Sequence, residues 1–232
     1  METNLIDAVN GERRFYRLDR VGSITEGLIA FYPLNGNATD AVGSNNGSIQ
    51  NASPATNRLG TQASALSFNG TNSLVDFTTV PVTNLDAFTI AAWILPSTLP
   101  QQSYAVLLGY AVEDPDPSNG VGLGISNDLG LIGNGLTGTI SGIKHIPSGY
   151  QFTSTNEWQY VAMTRIGGVT RFNVNGVQTS NISNLEPKVP TAFRIGASQN
   201  PGVSVFNGSI DDLRIYNRAL NEGELQALMA LP

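Results

Sequence analysis

Short runs of alternating apolar and polar residues, separated by turn-forming residues, cover most of this 232-residue chain. Alternation with period two places every second side chain on one face of a strand. Eight Asn-Gly dipeptides punctuate the runs, at Asn10, Asn35, Asn46, Asn69, Asn119, Asn134, Asn175 and Asn207. This pair readily takes the positive φ that tight hairpin turns need. The clearest predicted hairpin is 170–179 around Asn175-Gly176, with Phe172 and Val174 on one face. Residues 88–95 (FTIAAWIL) are apolar on both faces, which predicts a central strand covered on both sides and Trp93 in the core. In a second long strand Trp158, Tyr160 and Ala162 alternate with Val161, Met163 and Arg165, and packing is the expected role of Trp158 too. Helical periodicity occurs only at the C-terminal end. The pattern predicts an all-β fold, a two-sheet antiparallel jelly-roll sandwich with one short C-terminal helix.

The densest signal is the stretch 206–231, FNGSIDDLRIYNRALNEGELQALMAL. An Asn-Gly turn opens it, a strand follows over 209–216, and a helix closes it. Asn221 can cap the free amide of Glu224 while Glu224 reaches back, the reciprocal arrangement of a capping box. The expected apolar face of the helix is Leu225, Leu228 and Met229. Strict alternation puts Ile210, Asp212, Arg214 and Tyr216 on one face of the strand and Asp211, Leu213 and Ile215 on the other. Asp211 is then expected to point inward with aliphatics, where it needs a cation or several hydrogen-bond donors.

This stretch closely resembles the closing segment of bacterial LamG-like domains, in the concanavalin A-like lectin and glucanase group. There a Gly-x-Ile-Asp-Asp/Glu-Val-Arg-Ile-Tyr-Asn-Arg-Ala-Leu run precedes a short terminal helix. Further pieces resemble the same family in the same order: LIAFYPLNGNATD at 28–40, ALSFNG at 65–70, FTIAAWI at 88–94, WQYVAMTR at 158–165 and FNVNGV at 172–177. The resemblance covers about residues 26–231 and implies a jelly-roll domain, 26–232, after an N-terminal extension or remnant of a preceding domain, 1–25. In that extension, charged residues interleave with Phe15, Tyr16 and Leu18, and 14–18 reads as a short strand.

Charge and composition narrow the function. Charged residues make up 13% of the chain and the net charge is −6, so there is no electrostatic footprint for a nucleic-acid backbone. The absence of cysteine removes disulfides and thiolate metal sites. No run is long and apolar enough to predict a membrane span, and the first residues lack the basic region and apolar run by which a signal peptide is expected to show. A surface rich in Asn, Ser, Thr and Gly suits an extracellular or cell-surface bacterial protein, and the resemblance implies the same.

The segment 40–47 (DAVGSNNG) offers carboxylate, side-chain amide and backbone carbonyl oxygens together, the ligand types that calcium takes in sets of six to eight. In LamG-like relatives the equivalent loop, with an Asp from the closing strand, often holds a structural calcium. Carried over, the resemblance proposes Asp40 and Asp211 as carboxylate ligands and Asn45 as a further one. The competing expectation is a hydrogen-bonded turn, with Asp211 paired to an arginine.

Catalytic signals are poor. Glycosidases of this fold group place two carboxylates about 5–5.5 Å apart from a Glu-x-Asp-x-Glu strand, and no such triplet exists here. His145 is the only histidine, and the two prolines of Glu113-Asp114-Pro115-Asp116-Pro117 block strand pairing. The chain is therefore expected not to be an enzyme but a recognition module for a glycan or surface polysaccharide, or an adhesion module. The alternative is a structural or protein–protein interaction domain of a surface or virion assembly. Sugars are held by aromatic faces and a few polar groups on loops of a rigid scaffold. Tyr104, Tyr110, Asp114 and Asp116 in one loop, and Tyr150 in another, are the candidate ligand-binding residues.

Overall fold

The structure, a computed structural model, describes residues 4–9, 12–17, 23–82, 85–101, 105–108, 121–126, 134–140, 143–182, 192–197 and 205–232. At the N-terminus β1 (Asn4–Val9) and β2 (Glu12–Arg17) pair antiparallel with each other, Ile6 opposite Phe15.

The largest sheet runs in the order β15 (Val177–Ile182), β14 (Val169–Val174), β13 (Gln159–Ile166), β8 (Ala87–Pro96), β17 (Asn207–Tyr216), β6 (Ala65–Asn69), β5 (Ser53–Ala55), with β3 (Leu28–Tyr32) also on β17. β17 pairs along its length with β8; its other edge takes β6 at 207–210 and β3 at 213–216. Two smaller sheets are β16 (Phe193–Ile195), β7 (Leu74–Phe77), β4 (Ser48–Gln50) and β12 (Ile143–Gln151), β11 (Gly135–Ile140), β10 (Val121–Ser126), β9 (Ala105–Leu108). All pairings are antiparallel. The architecture is the mostly-β antiparallel sandwich with a short C-terminal helix that the alternation predicts.

One apolar core joins the sheets. Phe88, Ile90, Ala92 and Ile94 of β8, Val161 and Met163 of β13, and Phe172 and Val174 of β14 form a continuous cluster with Val75, Phe193, Leu123 and Leu136 of the smaller sheets. The layers approach closely: a Cβ on Gly138 of β11 would lie 2.6 Å from the Phe172 ring and 3.1 Å from Met163 Sδ. Alternation accordingly holds along β8, β13 and β14, and the β14–β15 hairpin turns at Asn175-Gly176, where φ is 50° and 80°.

The opposite face of the large sheet is covered by α1 (Glu222–Met229). Its cap is the reciprocal one: Asn221 Oδ1 accepts from Glu224 N–H (2.9 Å) and Glu224 Oε2 accepts from Asn221 N–H (2.8 Å). Leu220, Leu225 and Leu228 pack on Ala91, Ala162, Tyr160 and Tyr216, with Met229 partly buried beside them. Small side chains at 91 and 162, paired directly across β8 and β13, leave the space in which the helix lies. Trp93 belongs to this outer cluster and is half-buried, so it is not in the inter-sheet core where its apolar neighbours suggested it would be. Trp158, also half-buried, precedes β13 instead of forming part of it.

Because Ala162 is fully buried under α1, Ala162→Leu should overpack that layer and destabilise the protein by about 1–3 kcal/mol. Thermal melting should show a fall of several degrees, roughly 2–4 °C per kcal/mol for a domain of this size. An unchanged Tm would mean that the helix does not press on the alanine pair.

Candidate functional site

The closing strand departs from strict alternation at one place, and that place decides where its charges go. Between Asp211, opposite Trp93, and Arg214, opposite Ala91, β17 carries one residue more than β8, and Asp212 has φ 53°. This is a β-bulge, which inserts a residue and shifts the phase of everything beyond it. Ile210, Leu213 and Ile215 therefore all enter the inner core, while Tyr216 joins the outer cluster. Asp211 does not share a face with Leu213 and Ile215 as alternation predicted; it points outward, beside Trp93.

Asp211 is nevertheless buried, because Arg58 covers it. The 57–61 turn is closed by Asn57, whose Oδ1 accepts from Leu59 and Thr61 N–H, and it holds Arg58 over the sheet. Arg58 Nη1 donates to Asp211 Oδ2 at 2.7 Å, and Nη2 to Asp212 Oδ2 at 2.9 Å and the Leu231 carbonyl at 3.1 Å. The guanidinium also sits 5.1 Å from the Trp93 ring centroid, a cation–π distance. A second guanidinium, Arg214, lies 3.6 Å from Asp212 Oδ2 and 4.0 Å over the Phe31 ring. Two arginines thus face two aspartates on the outer side of the sheet. Burial, and then the neighbouring Asp212 charge, raise the Asp211 pKa from 3.8 to about 6 against the pull of Arg58. Tyr160, beside Trp93 with ring centroids 5.3 Å apart, has its hydroxyl pushed above the ordinary value by burial.

Asp40 and Asn45 lie elsewhere, on a loop along the edge of β3. Phe31 N–H donates to Asp40 Oδ1 and Phe31 C=O accepts from Ala41 N–H, so both backbone groups of Phe31 face this loop and β3 separates it from β17. Asp40 Oδ1 also accepts from Val42 N–H. Asn45 Oδ1 accepts from Thr79 Oγ1 at 2.7 Å, and its backbone carbonyl accepts from the Tyr32 hydroxyl at 3.0 Å. The Tyr32 pKa is raised, chiefly by burial and then by the Asp40 charge. The residues present do not fit a calcium ion shared by Asp40, Asn45 and Asp211: the two acids are on opposite sides of β3, and Arg58 already supplies the cation at Asp211. Among the described residues no three acidic or histidine side chains gather at one point.

Of the candidate ligand-binding residues, Tyr104, Tyr110, Asp114 and Asp116 lie outside the described residues. Tyr150 is half-buried, edge-on to Phe152 at 5.1 Å, and its hydroxyl donates to Gln159 Oε1 at 3.1 Å. Burial, then Glu157, raises its pKa.

A feature that sequence reasoning missed lies beside the N-terminal end of α1. Thr89 Oγ1 donates to the Arg218 carbonyl (2.8 Å) and accepts from Leu220 N–H (2.9 Å), pinning the segment before the helix onto the outer face. Arg218 locks it further through Glu224 at 2.9 Å and the Glu26 carbonyl at 2.8 Å. The helix packs over Ala91 and Ala162 and leaves the sheet partly open beside its N-terminal end. Beyond it an open groove of about 360 Å³ remains, lined by Thr164, Ile166, Arg171, Asn173, Gln178 and Glu222 among others. Alternation along 169–174 does place Arg171 and Asn173 opposite Phe172 and Val174; that a groove forms over them depends on where the distant C-terminal segment docks.

The family described as the concanavalin A-like lectin/glucanases superfamily matches residues 69–226. No curated protein matches the chain in sequence. Among solved structures, domain 4 of AbnA, an extracellular GH43 arabinanase from Geobacillus stearothermophilus, in complex with arabinotriose, is similar over 87% of this chain and 97% of that one, with TM-score 0.69 and 20% identity. Trypanosoma rangeli sialidase is similar with TM-score 0.67 and 19% identity, over 87% of this chain but 32% of the sialidase. The binding domain of botulinum neurotoxin DC in complex with SialylT is similar with TM-score 0.64 and 14% identity, over 89% of this chain and 52% of that one. At these identities the likeness is one of fold.

The arginine clamp makes a signed prediction. Asp211 binds its proton more tightly folded than unfolded, so its contribution to stability is full below about pH 3.8 and is lost as pH rises through about 6. Arg58→Met should cost about 3–5 kcal/mol at pH 8, where buried Asp211 loses its cation and Asp212 keeps only Arg214. The cost should shrink at pH 5, where Asp211 can take up a proton. Denaturant titrations from pH 4 to 8 check both statements. Asp211→Asn should flatten the wild-type slope between pH 4 and 6, and an unaltered slope would reject Asp211 as its source.

Proposed function

The chain belongs to the concanavalin A-like lectin/glucanase superfamily, and on that premise we propose that it is a non-catalytic recognition module that binds carbohydrate. We take residues 26–232 as the module and place it in an extracellular or cell-surface protein, as an adhesive or substrate-targeting part. The observation that carries this reading is the match over nearly the whole length of an arabinanase domain solved with a trisaccharide. The toxin binding domain solved with a sialylated ligand adds a second neighbour of the same kind. Fold alone does not set function, so site chemistry has to agree with it.

It does so in two respects. The one pair of adjacent acids described, Asp211 and Asp212, is neutralised by Arg58 and Arg214 and buried, which leaves neither carboxylate able to attack or protonate a glycosidic bond. The outer face also offers an open groove of saccharide scale lined by hydrogen-bonding side chains. For the protein-contact alternative, the exposed large aliphatics among the described residues, Val42, Leu59, Ile166 and Val177, lie on four different segments. Scattered singly, they are ordinary surface residues.

A glycan array, run on the purified chain with calcium and again with chelator, should show binding to a restricted set of neutral oligosaccharides. A blank array at high protein concentration would overturn the carbohydrate reading. Calcium as a structural ion is tested in the same samples by thermal melting. A calcium-dependent rise in Tm that is lost in Asp40→Ala but kept in Asp211→Asn would locate the ion at the 40–47 loop, and identical curves with calcium and with chelator would remove it.

A further inference from the structure

β1 and β2 form a two-stranded sheet of their own, and no described strand pairs with either outer edge. A lone two-stranded hairpin is at best marginally stable in water, and further strands or a packed face are needed to hold it. The two edges of this sheet are not alike. β2 reads ERRFYR, with Glu12, Arg13, Arg14 and Arg17 charged. Charge of that density along an outer strand is one way in which sheets keep other strands from adding to them. β1 reads NLIDAV, and its one charged residue, Asp7, stands opposite Arg14 in the register. Alternation places Leu5 and Val9 on one face of β1 and Ile6 and Ala8 on the other. A strand apolar on both faces is composed for the middle of a sheet, yet among the described strands β1 has a neighbour on one side only.

We propose that the free edge of β1 is a homodimer interface, where β1 of a second copy adds antiparallel across a twofold axis. The product is a four-stranded sheet, β2 and β1 of one protomer followed by β1 and β2 of its partner. Charge decides which edge is used. Joining through β2 would set the arginines of two copies one strand spacing apart, about 4.8 Å, where like charges repel. Joining through β1 separates the two β2 strands by three spacings, roughly 14 Å, beyond the screening length of about 8 Å at physiological salt. Charge also sets the register. A twofold antiparallel pair puts one residue opposite its own copy; with Ile6 there, Asp7 faces Leu5 of the partner, whereas Asp7 at the centre would oppose two carboxylates. A second copy is the occupant that fits in length and composition, since it offers six residues equally apolar on both faces. The outer strands of the large sheet do not: β5 is three residues long and holds Pro54, and β15 (VQTSNI) is mostly polar. One such pairing uses the apolar edge of both copies and leaves the charged edges outermost, so the assembly closes at two. Dimerisation in this way is independent of what the sandwich binds.

The test is sedimentation velocity on the whole chain from micromolar to near-millimolar concentration in physiological salt. The 24.6 kDa chain should be in a concentration-dependent equilibrium with a species of twice that mass. Charging the β1 edge with Ile6→Lys and Ala8→Lys together should return the monomer with thermal melting of the sandwich unchanged, while Arg14→Gln on β2 should leave the dimer in place. Because the lysines could also undo the hairpin itself, a second measurement locates the seam directly. The chain has no cysteine, so a single introduced thiol can pair only with its own copy. Residues directly opposed in an antiparallel pair lie about 4.5–5.5 Å apart at Cα, within disulfide reach. Ile6→Cys should therefore give a covalent dimer on mild oxidation, and Tyr16→Cys on β2 should not. A monomer at every concentration would overturn the proposal, as would a dimer that survives the lysine pair or one that crosslinks through Tyr16→Cys in preference to Ile6→Cys.

Discussion

The guanidinium of Arg58 is the pivot of the outer face. Three separate pieces of chain, the 57–61 turn, the bulged closing strand and the carbonyl of Leu231 next to the C-terminus, are tied together by its hydrogen bonds. The requirement for it arises in the backbone. An extra residue at the Asp212 bulge rotates Asp211 away from the inter-sheet core and onto a face that a helix and tail then bury. Two carboxylates covered in this way cannot remain ionised without a cation at hydrogen-bond distance. Arg58 supplies that cation from 153 residues away in the chain.

The same face shows how one docking event creates both a core and a groove. Alanines at 91 and 162 make a trough for α1, and Thr89 and Arg218 fix the segment leading into it. The helix fills the trough over β8 and β13, and its far side reaches the β14–β15 turn at Gly176, beside Gln226 and Met229. Beside the helix start an open groove remains, with Arg171, Gln178 and Ile166 along it and the buried Thr164 and Asn173 at its floor. In a sandwich the inner faces are committed to the core, so recognition surfaces have to come from loops or from the outer faces. Here the outer face carries two different structures side by side, a sealed charge clamp under the tail and an open groove beyond the helix.

The arrangement also explains why the acids of this chain are poor candidates for catalysis or for a shared metal. Asp40 spends Oδ1 on two backbone amides, Phe31 of β3 and Val42 of its own loop, and β3 lies between it and Asp211. Asp211, with its raised pKa, has the kind of perturbed titration that often marks functional sites. Its cause is structural: burial and an adjacent carboxylate, only partly offset by the clamp.

Much of this was legible in the chain itself. Alternation, Asn-Gly turns and the S-I-D-D-L-R-I-Y run were enough to predict the sandwich, the 170–179 hairpin, the central strand and the capped helix, because those features depend on local turn chemistry and on side-chain period. Family resemblance was readable for the same reason. Trp93, Asp211 and the groove were decided only by tertiary structure. A bulge adds one residue to a strand without altering its composition, so nothing in I-D-D-L announces that the phase changes at Asp212. The partner of Asp211 lies far away in sequence, in a turn whose own pattern shows only that it is a turn. Arg171 and Asn173 could be placed on an outward face from alternation, but whether that face is open or covered depends on where the C-terminal helix docks, and two alanines far from it in sequence leave the space for it.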